Sequence, residues 1–194
     1  MTHTADHNGT QQAKEKIRQM RTLPLPLRWI PGAVTVALLL MTLDYLFNLG
    51  HLTFITGLET QFYYAVVALL LPLIYLLWPL TPAGQYRPIP WYDYLLSAVT
   101  LVVSGYFVIN ADSILERGWA FAAPDTALWV SYAWWLLIIE AARRAGGWPI
   151  ALIVTLFSLY PLVADVMPGP IQAFPSSLSE TAMYHTMSTE SIMG

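Results

Sequence analysis

The run FYYAVVALLLPLIYLLWPL, residues 62–80, holds no charged side chain and is apolar without interruption. A helix rises 1.5 Å per residue, so about 20 such residues cross the roughly 30 Å hydrocarbon core of a bilayer. Within lipid every backbone N–H and C=O must find a partner, which leaves helices and closed barrels as spanning structures. A barrel strand alternates apolar and polar positions. This run does not, so it reads as a transmembrane helix.

Four more runs of the same kind flank it: WIPGAVTVALLLMTLDYLFNL at 29–49, WYDYLLSAVTLVVSGYFVI at 91–109, DTALWVSYAWWLLIIEAA at 125–142 and GWPIALIVTLFSLYPLVADV at 147–166. Each is followed by Gly, Pro, Asn or charge, as a helix end is. The expected fold is an all-α integral membrane protein of about five transmembrane helices. Pro72 and Pro161 fall inside the second and fifth runs and are expected to kink them, because proline removes a backbone donor. Composition agrees. Of 194 residues, 56% are hydrophobic and 11% charged, against roughly a quarter charged in soluble domains. Mean hydropathy is +0.52.

The chain divides into a polar N-terminal segment at 1–28, a membrane domain at 29–166 and a tail at 167–194. In the first segment a solvated tail is favoured over a surface helix at Gln11–Met20. It shows no short apolar stretch with a cleavage site, so the first span is expected to act as a signal anchor. The tail, rich in Ser, Thr and Pro, reads as neither a further span nor a folded domain. A net charge of −3 without a basic, aromatic-interleaved cluster argues against nucleic acid. The absence of cysteine removes disulfides and thiolate chemistry.

Charge asymmetry sets the expected orientation. Lys14, Lys16, Arg18, Arg21 and Arg28 precede the first span, Arg87 lies between the second and third, and Arg143 and Arg144 between the fourth and fifth; Arg117 alone falls on the other side. The positive-inside rule then puts the N-terminus in the cytoplasm and the C-terminus outside. Trp29, Trp78, Trp91 and Trp148 fall at the cytoplasmic ends as an aromatic belt. On the outer side, residues 50–61 are expected along the interface and residues 110–124 to hold a short helix.

Few residues are placed for chemistry. Glu140 precedes Arg143 and Arg144 by three and four positions, one helix face. An ion or substrate contact is conceivable there, but a self-contained ion pair at the interface is favoured. Asp44 lies inside the first span, where a hydrogen-bonded interhelical contact is favoured over a proton or cation site. Asp93 opens the third span and reads as a helix cap complementing the dipole. Asp165 reads as interfacial. His3, His7, His51 and His185 lack partners at ligand spacing, so no metal or haem site is expected. No nucleophile elbow, phosphate loop or zinc-protease motif occurs. No catalytic, cofactor-binding or metal-binding residue is assigned, no cofactor is expected, and the chain is not expected to be an enzyme. Asp44, Glu140, His51 and His185 are the only players an enzyme would have, at scattered depths.

The runs YRPIPWYDYLLSAVT at 86–100 and LLIIEAARRAGGWPIALIVTLFSLYPL at 136–162, with MPGPIQAF at 167–174 and YHTMSTESIMG at 184–194, resemble the N-terminal, small-subunit-like region of fused permease subunits of TRAP transporters, the type that pairs with TAXI-type binding proteins. The most specific parts are EAARRAGGWP and STESIMG, and the similarity covers about 30–194. The resemblance implies a small helical portion that braces a large portion carrying the substrate and sodium sites. An extracytoplasmic solute-binding protein would deliver organic acids. None of those sites falls in this sequence, so the expectation is a membrane scaffold portion without the transport core, joined to a large permease subunit or other integral membrane proteins through apolar helix faces. The alternative is a truncated relative recruited as an accessory subunit of a photosynthetic or respiratory complex.

Overall fold

The computed structural model describes residues 20–81, 84 and 87–190, apart from the side chains of Thr53 and Thr56. These residues form helices and loops, with no strand among them. The helices are α1 (Ile30–Phe47), α2 (Thr53–Thr56), α3 (Glu59–Leu77), α4 (Trp91–Glu116), α5 (Asp125–Leu159) and α6 (Leu178–Met187), with short 3-10 stretches at Leu25–Leu27, Tyr160–Val166 and Gly169–Ile171. Four long helical stretches, Leu25–Phe47, Glu59–Leu77, Trp91–Glu116 and Asp125–Val166, are apolar enough to cross a membrane. The chain is therefore compatible with a multi-pass membrane protein.

α3 and α4 make the most extensive contact. α3 buries Tyr64, Ala65, Ala68, Leu71, Pro72, Tyr75 and Leu76, a stripe at three- and four-residue spacing. α4 answers with Thr100, Ser104, Phe107, Ala111 and Ile114. That stripe explains why α4 continues to Glu116 instead of ending near 109. Ala111 and Ile114 sit on the same face as Phe107, so the expected separate outer helix is the last two turns of α4. Small residues at these contacts let backbones approach, as membrane bundles require.

The expected fourth and fifth runs lie in one assigned helix, α5, broken at Gly147, whose φ of 82° and ψ of 179° are not helical. α5 does not run straight. The His185 ring lies 5.7 Å from the Trp135 ring, and its Nε2 is 2.8 Å from the Ser158 carbonyl oxygen. A straight helix would separate Trp135 from Ser158 by roughly 35 Å. One imidazole reaches both, so the two arms fold back on each other at Gly147. Such backbone angles are open essentially to glycine alone. Pro161 does not kink the second arm. The α-helix stops at Leu159, and Pro161 sits in the first turn of the 3-10 stretch, where its missing N–H costs nothing. Pro72, by contrast, lies inside α3 without ending it.

The tail is more ordered than the sequence suggested. Residues 160–176 double back on themselves: Ala173 N donates to the Ala164 carbonyl at 3.0 Å and Ser176 N to that of Pro161 at 3.0 Å. The Tyr160 hydroxyl donates to the Ile171 carbonyl. Ser177 then starts α6 with a full capping box. Its hydroxyl accepts from Glu180 N at 3.2 Å, and the Glu180 carboxylate accepts from Ser177 N at 2.7 Å. α6 buries Thr181, Ala182, Met183, Thr186 and Met187. Tyr64 Oη donates to the Thr186 carbonyl at 2.9 Å, and Thr186 Oγ1 lies 2.9 Å from Ser131 Oγ. Beneath it Phe107 and Trp134 stack at 4.4 Å, and Trp134 Nε1 donates to Ser104 Oγ at 3.0 Å. α6 thus closes the bundle at the end where α3 and α5 begin.

Two expected outcomes follow from this geometry. Gly147→Ala forces a side chain into a glycine-only conformation and is expected to cost about 1–3 kcal/mol. Gly105→Ala, whose new Cβ meets nothing within 4 Å in mid-α4, is expected to be neutral or to stabilise by about 0.5–1 kcal/mol; thermal unfolding in detergent, followed by circular dichroism, compares them. Separately, Ser177→Ala removes the α6 cap and is expected to destabilise that helix by about 1 kcal/mol, read as faster amide exchange at 178–187. The Ser177 amide also holds the Glu180 carboxyl below its ordinary value. That contribution is present above the unfolded glutamate pKa of about 4.3 and is lost as pH falls through the lower folded value, so the protection of α6 amides relative to their intrinsic exchange rate should fall only in acid.

Candidate functional site

A cluster of buried ion pairs lies at the other end of the bundle. Glu140, Arg143 and Arg144 share the first arm of α5. Consecutive positions on a helix point about 100° apart, so the two arginines diverge while Glu140, one turn back, reaches both. Arg143 Nε donates to Glu140 Oε2 at 2.7 Å, Arg143 Nη2 to Oε1 at 2.7 Å, and Arg144 Nε to Oε1 at 2.8 Å. Arg143 stays near the surface, its guanidinium 5.3 Å from the Trp148 ring across the Gly147 bend. Arg144 turns inward over Tyr75, 5.0 Å from that ring.

Arg144 does not stop at Glu140. Its Nη1 donates to Asp93 Oδ1 at 2.7 Å, and the two side chains are 1% and 0% exposed. Asp93 meets a second cation, since Arg21 Nη1 lies 2.9 Å from Oδ2 with the Arg21 side chain 3% exposed. This second approach is a charge contact without hydrogen-bond alignment. Arg21 is held from behind: its backbone N donates to the Leu77 carbonyl at 2.8 Å and its Nε to that of Gly84 at 3.4 Å. The cluster therefore joins the N-terminal segment, the end of α3, the start of α4 and the middle of α5.

Two expectations are corrected here. Glu140 is not in a self-contained pair, because Arg144 carries the network on to Asp93 and Arg21. The Asp93 side chain makes no cap; Pro90 is the N-cap residue of α4, without a side-chain cap bond. Asp93 sits in the first turn, where the helix dipole favours its charge, and its carboxylate is the shared counter-ion of two buried guanidiniums. Arg21 went unnoticed because it stands outside any apolar run. Its offset from Pro24 and Pro26, which bend the chain before α1, was the available signal. The more N-terminal residues, His3, His7 and all of the Gln11–Met20 stretch but Met20, lie outside the described residues.

Asp44 belongs to different chemistry. It stands in the last turn of α1, which ends at the left-handed Asn48 (φ 49°). Its carboxylate accepts from His51 N at 3.0 Å and Leu52 N at 3.1 Å, which secures the turn into α2. His51 is largely exposed, with Nδ1 3.5 Å from Asp44 Oδ1. Asp165 is exposed in the 3-10 stretch. His185 lies between the arms of α5. Asp44, Glu140, His51 and His185 do not converge on one place. Among the described residues no group of three or more His, Cys, Asp or Glu could hold a metal ion.

Compared with protein-family models, curated proteins and solved structures, the chain matches none. The cluster is therefore read from its own chemistry. Three guanidiniums share the buried Asp93 and the half-buried Glu140, and the arrangement clamps segments together.

Removing one partner of a buried ion pair leaves an uncompensated charge, which costs about 3–5 kcal/mol. Asp93→Asn and Arg144→Gln are each expected to lower stability by that order. The double variant should cost less than the sum, and Glu140→Gln, at a side chain 29% exposed, should cost less than either. A double-mutant cycle by denaturant titration in micelles measures this; an Asp93→Asn variant as stable as the parent would remove the clamp.

Proposed function

We propose that the chain is a multi-pass membrane scaffold, the bracing portion of a TRAP-type transporter permease for organic-acid-like solutes. The observation that carries the reading is the Arg21–Asp93–Arg144–Glu140–Arg143 cluster, whose ion pairs tie distant segments together at one end. A part that moves solute needs polar groups free to change partners; a brace needs them held in place. The outward faces fit the same role. α1 buries only Met41 and Asp44, and the second arm of α5 exposes Trp148, Leu152, Ile153, Leu156 and Phe157. The resemblance of the EAARRAGGWP run to TRAP permeases supplies the transporter class.

In this reading the chain crosses the membrane five times, with α5 contributing two crossings around Gly147. The N-terminus is cytoplasmic and the C-terminus extracytoplasmic. Support comes from the ends of the bundle: Arg21, Arg87, Arg143 and Arg144 gather at one, and Arg117 follows the opposite end of α4. Positive charge stays on the cytoplasmic side.

The chain contains no cysteine, so single cysteines report topology without background. An impermeant maleimide applied to intact cells is expected to label Ala173→Cys and Phe121→Cys and to spare Leu25→Cys. The reverse pattern inverts the topology, and labelling of Phe121→Cys without Ala173→Cys removes the fifth crossing. For the bracing role, the tagged chain purified in mild detergent should bring down a large permease subunit; its recovery alone, or with a respiratory or photosynthetic assembly instead, would overturn the transporter assignment.

A further inference from the structure

Beside the charge cluster lies a cavity of about 380 Å³, lined by Arg21, Arg87, Leu80 and Tyr92 together with Thr81, Gly84 and three prolines. Its volume is in the range of small-molecule sites, ~300–1,000 Å³. Its wall carries surplus positive charge. Within the cluster Arg21, Arg143 and Arg144 face only Asp93 and Glu140. Among the described residues Asp93 is the one acid in ion-pair contact with Arg21, and its aligned bond goes to Arg144. Arg21 Nη1 is buried without an aligned acceptor, a costly state for a cation. Arg87 adds a second guanidinium, exposed and in no ion pair among the described residues.

Pro79, Leu80, Pro88 and Pro90 give it an apolar wall, and Trp91 follows directly on that wall and is 75% exposed. Such rings sit at headgroup level. An occupant should combine a compact anion for Arg21 and Arg87 with an apolar body against Pro79, Leu80 and Pro88. We infer that this cavity binds the phosphate-bearing headgroup of an anionic phospholipid, which completes the neutralisation of Arg21. Basic pockets at the cytoplasmic ends of helices hold such groups. The inference rests on the membrane reading and not on the transporter assignment.

The test uses the full chain in detergent, with native mass spectrometry counting retained phosphatidylglycerol against phosphatidylcholine of the same acyl chains. Phosphatidylglycerol is expected to be retained selectively. Arg87→Gln should lower its retention about fivefold, the worth of one interfacial cation, while Arg117→Gln at the opposite end leaves it unchanged. Arg87 is exposed, so an unshifted thermal midpoint confirms that the variant is folded. Equal retention of the two lipids, or of phosphatidylglycerol by Arg87→Gln and parent, overturns the proposal. Displacement of phosphatidylglycerol by millimolar inorganic phosphate overturns the lipid assignment in favour of a soluble phosphate. The maleimide pattern reports separately on the membrane reading.

Discussion

A single carboxylate, that of Asp93, lies fully buried between two buried guanidiniums. Charges leave water only when they are paired and hydrogen-bonded, so this contact dictates where the segments bearing them can be. Arg21 must cross to the start of α4, which draws the N-terminal segment over the end of α3. Arg144 must face inward, which fixes the rotation of α5 about its axis. Glu140 follows one turn away, and Arg143 is thereby turned towards Trp148. The dipole at the start of α4 adds its own attraction for Asp93. Several helices thus take their register from one side chain.

The far end is held by different physics. There Tyr64, Phe107 and Trp134 pack ring on ring, and hydroxyls on Ser104, Ser131 and Thr186 satisfy the few polar groups. No ion pair is recorded within that aromatic group, so its tightness depends on shape and dispersion. The bend at Gly147 links the two ends. It lets α5 contribute Trp134 and Ser131 to the aromatic end, Arg144 to the charged end, and then Ser158 again to the seat of α6. A glycine is needed at 147 for its backbone angles, since a Cβ there would meet only Pro149 Cδ at 3.7 Å; at the preceding Gly146 a Cβ would lie 2.6 Å from Ile150 Cδ1.

The apolar runs and their punctuation made the long helices legible in the sequence, because hydrophobic burial and backbone satisfaction act locally along the chain. The i, i+3 and i, i+4 pairing of Glu140 was legible for the same reason. The partners of Asp93 were not, since Arg21 and Arg144 stand 72 and 51 positions away and meet it only through the packing of three helices. The seat of α6 was missed although its signal was present: Ser177 followed by Glu180 is a capping box. A polar composition was read as a tail, but Thr181 and Thr186 are buried because their hydroxyls bond to backbone carbonyls one turn back. The hold of Asp44 on the amides of His51 and Leu52 was not legible, because it depends on the turn that the left-handed Asn48 makes after the apolar run.

α1 sets the remaining constraint. It exposes Val36, Leu39, Leu40, Leu43, Leu46 and Phe47, positions at three- and four-residue spacing that line one face of the helix. A contiguous apolar face left uncovered on a soluble monomer would be unusual. Lipid can cover it as well as protein can, because acyl chains and leucines are equally apolar. Any protein that docks there must win on close packing and shape instead of on hydrophobicity. The ion pairs buried at the charged end offer little to such a partner. What the bundle presents to a neighbour in the membrane is therefore a stiff, apolar surface whose position is fixed from within, by charges the neighbour never touches.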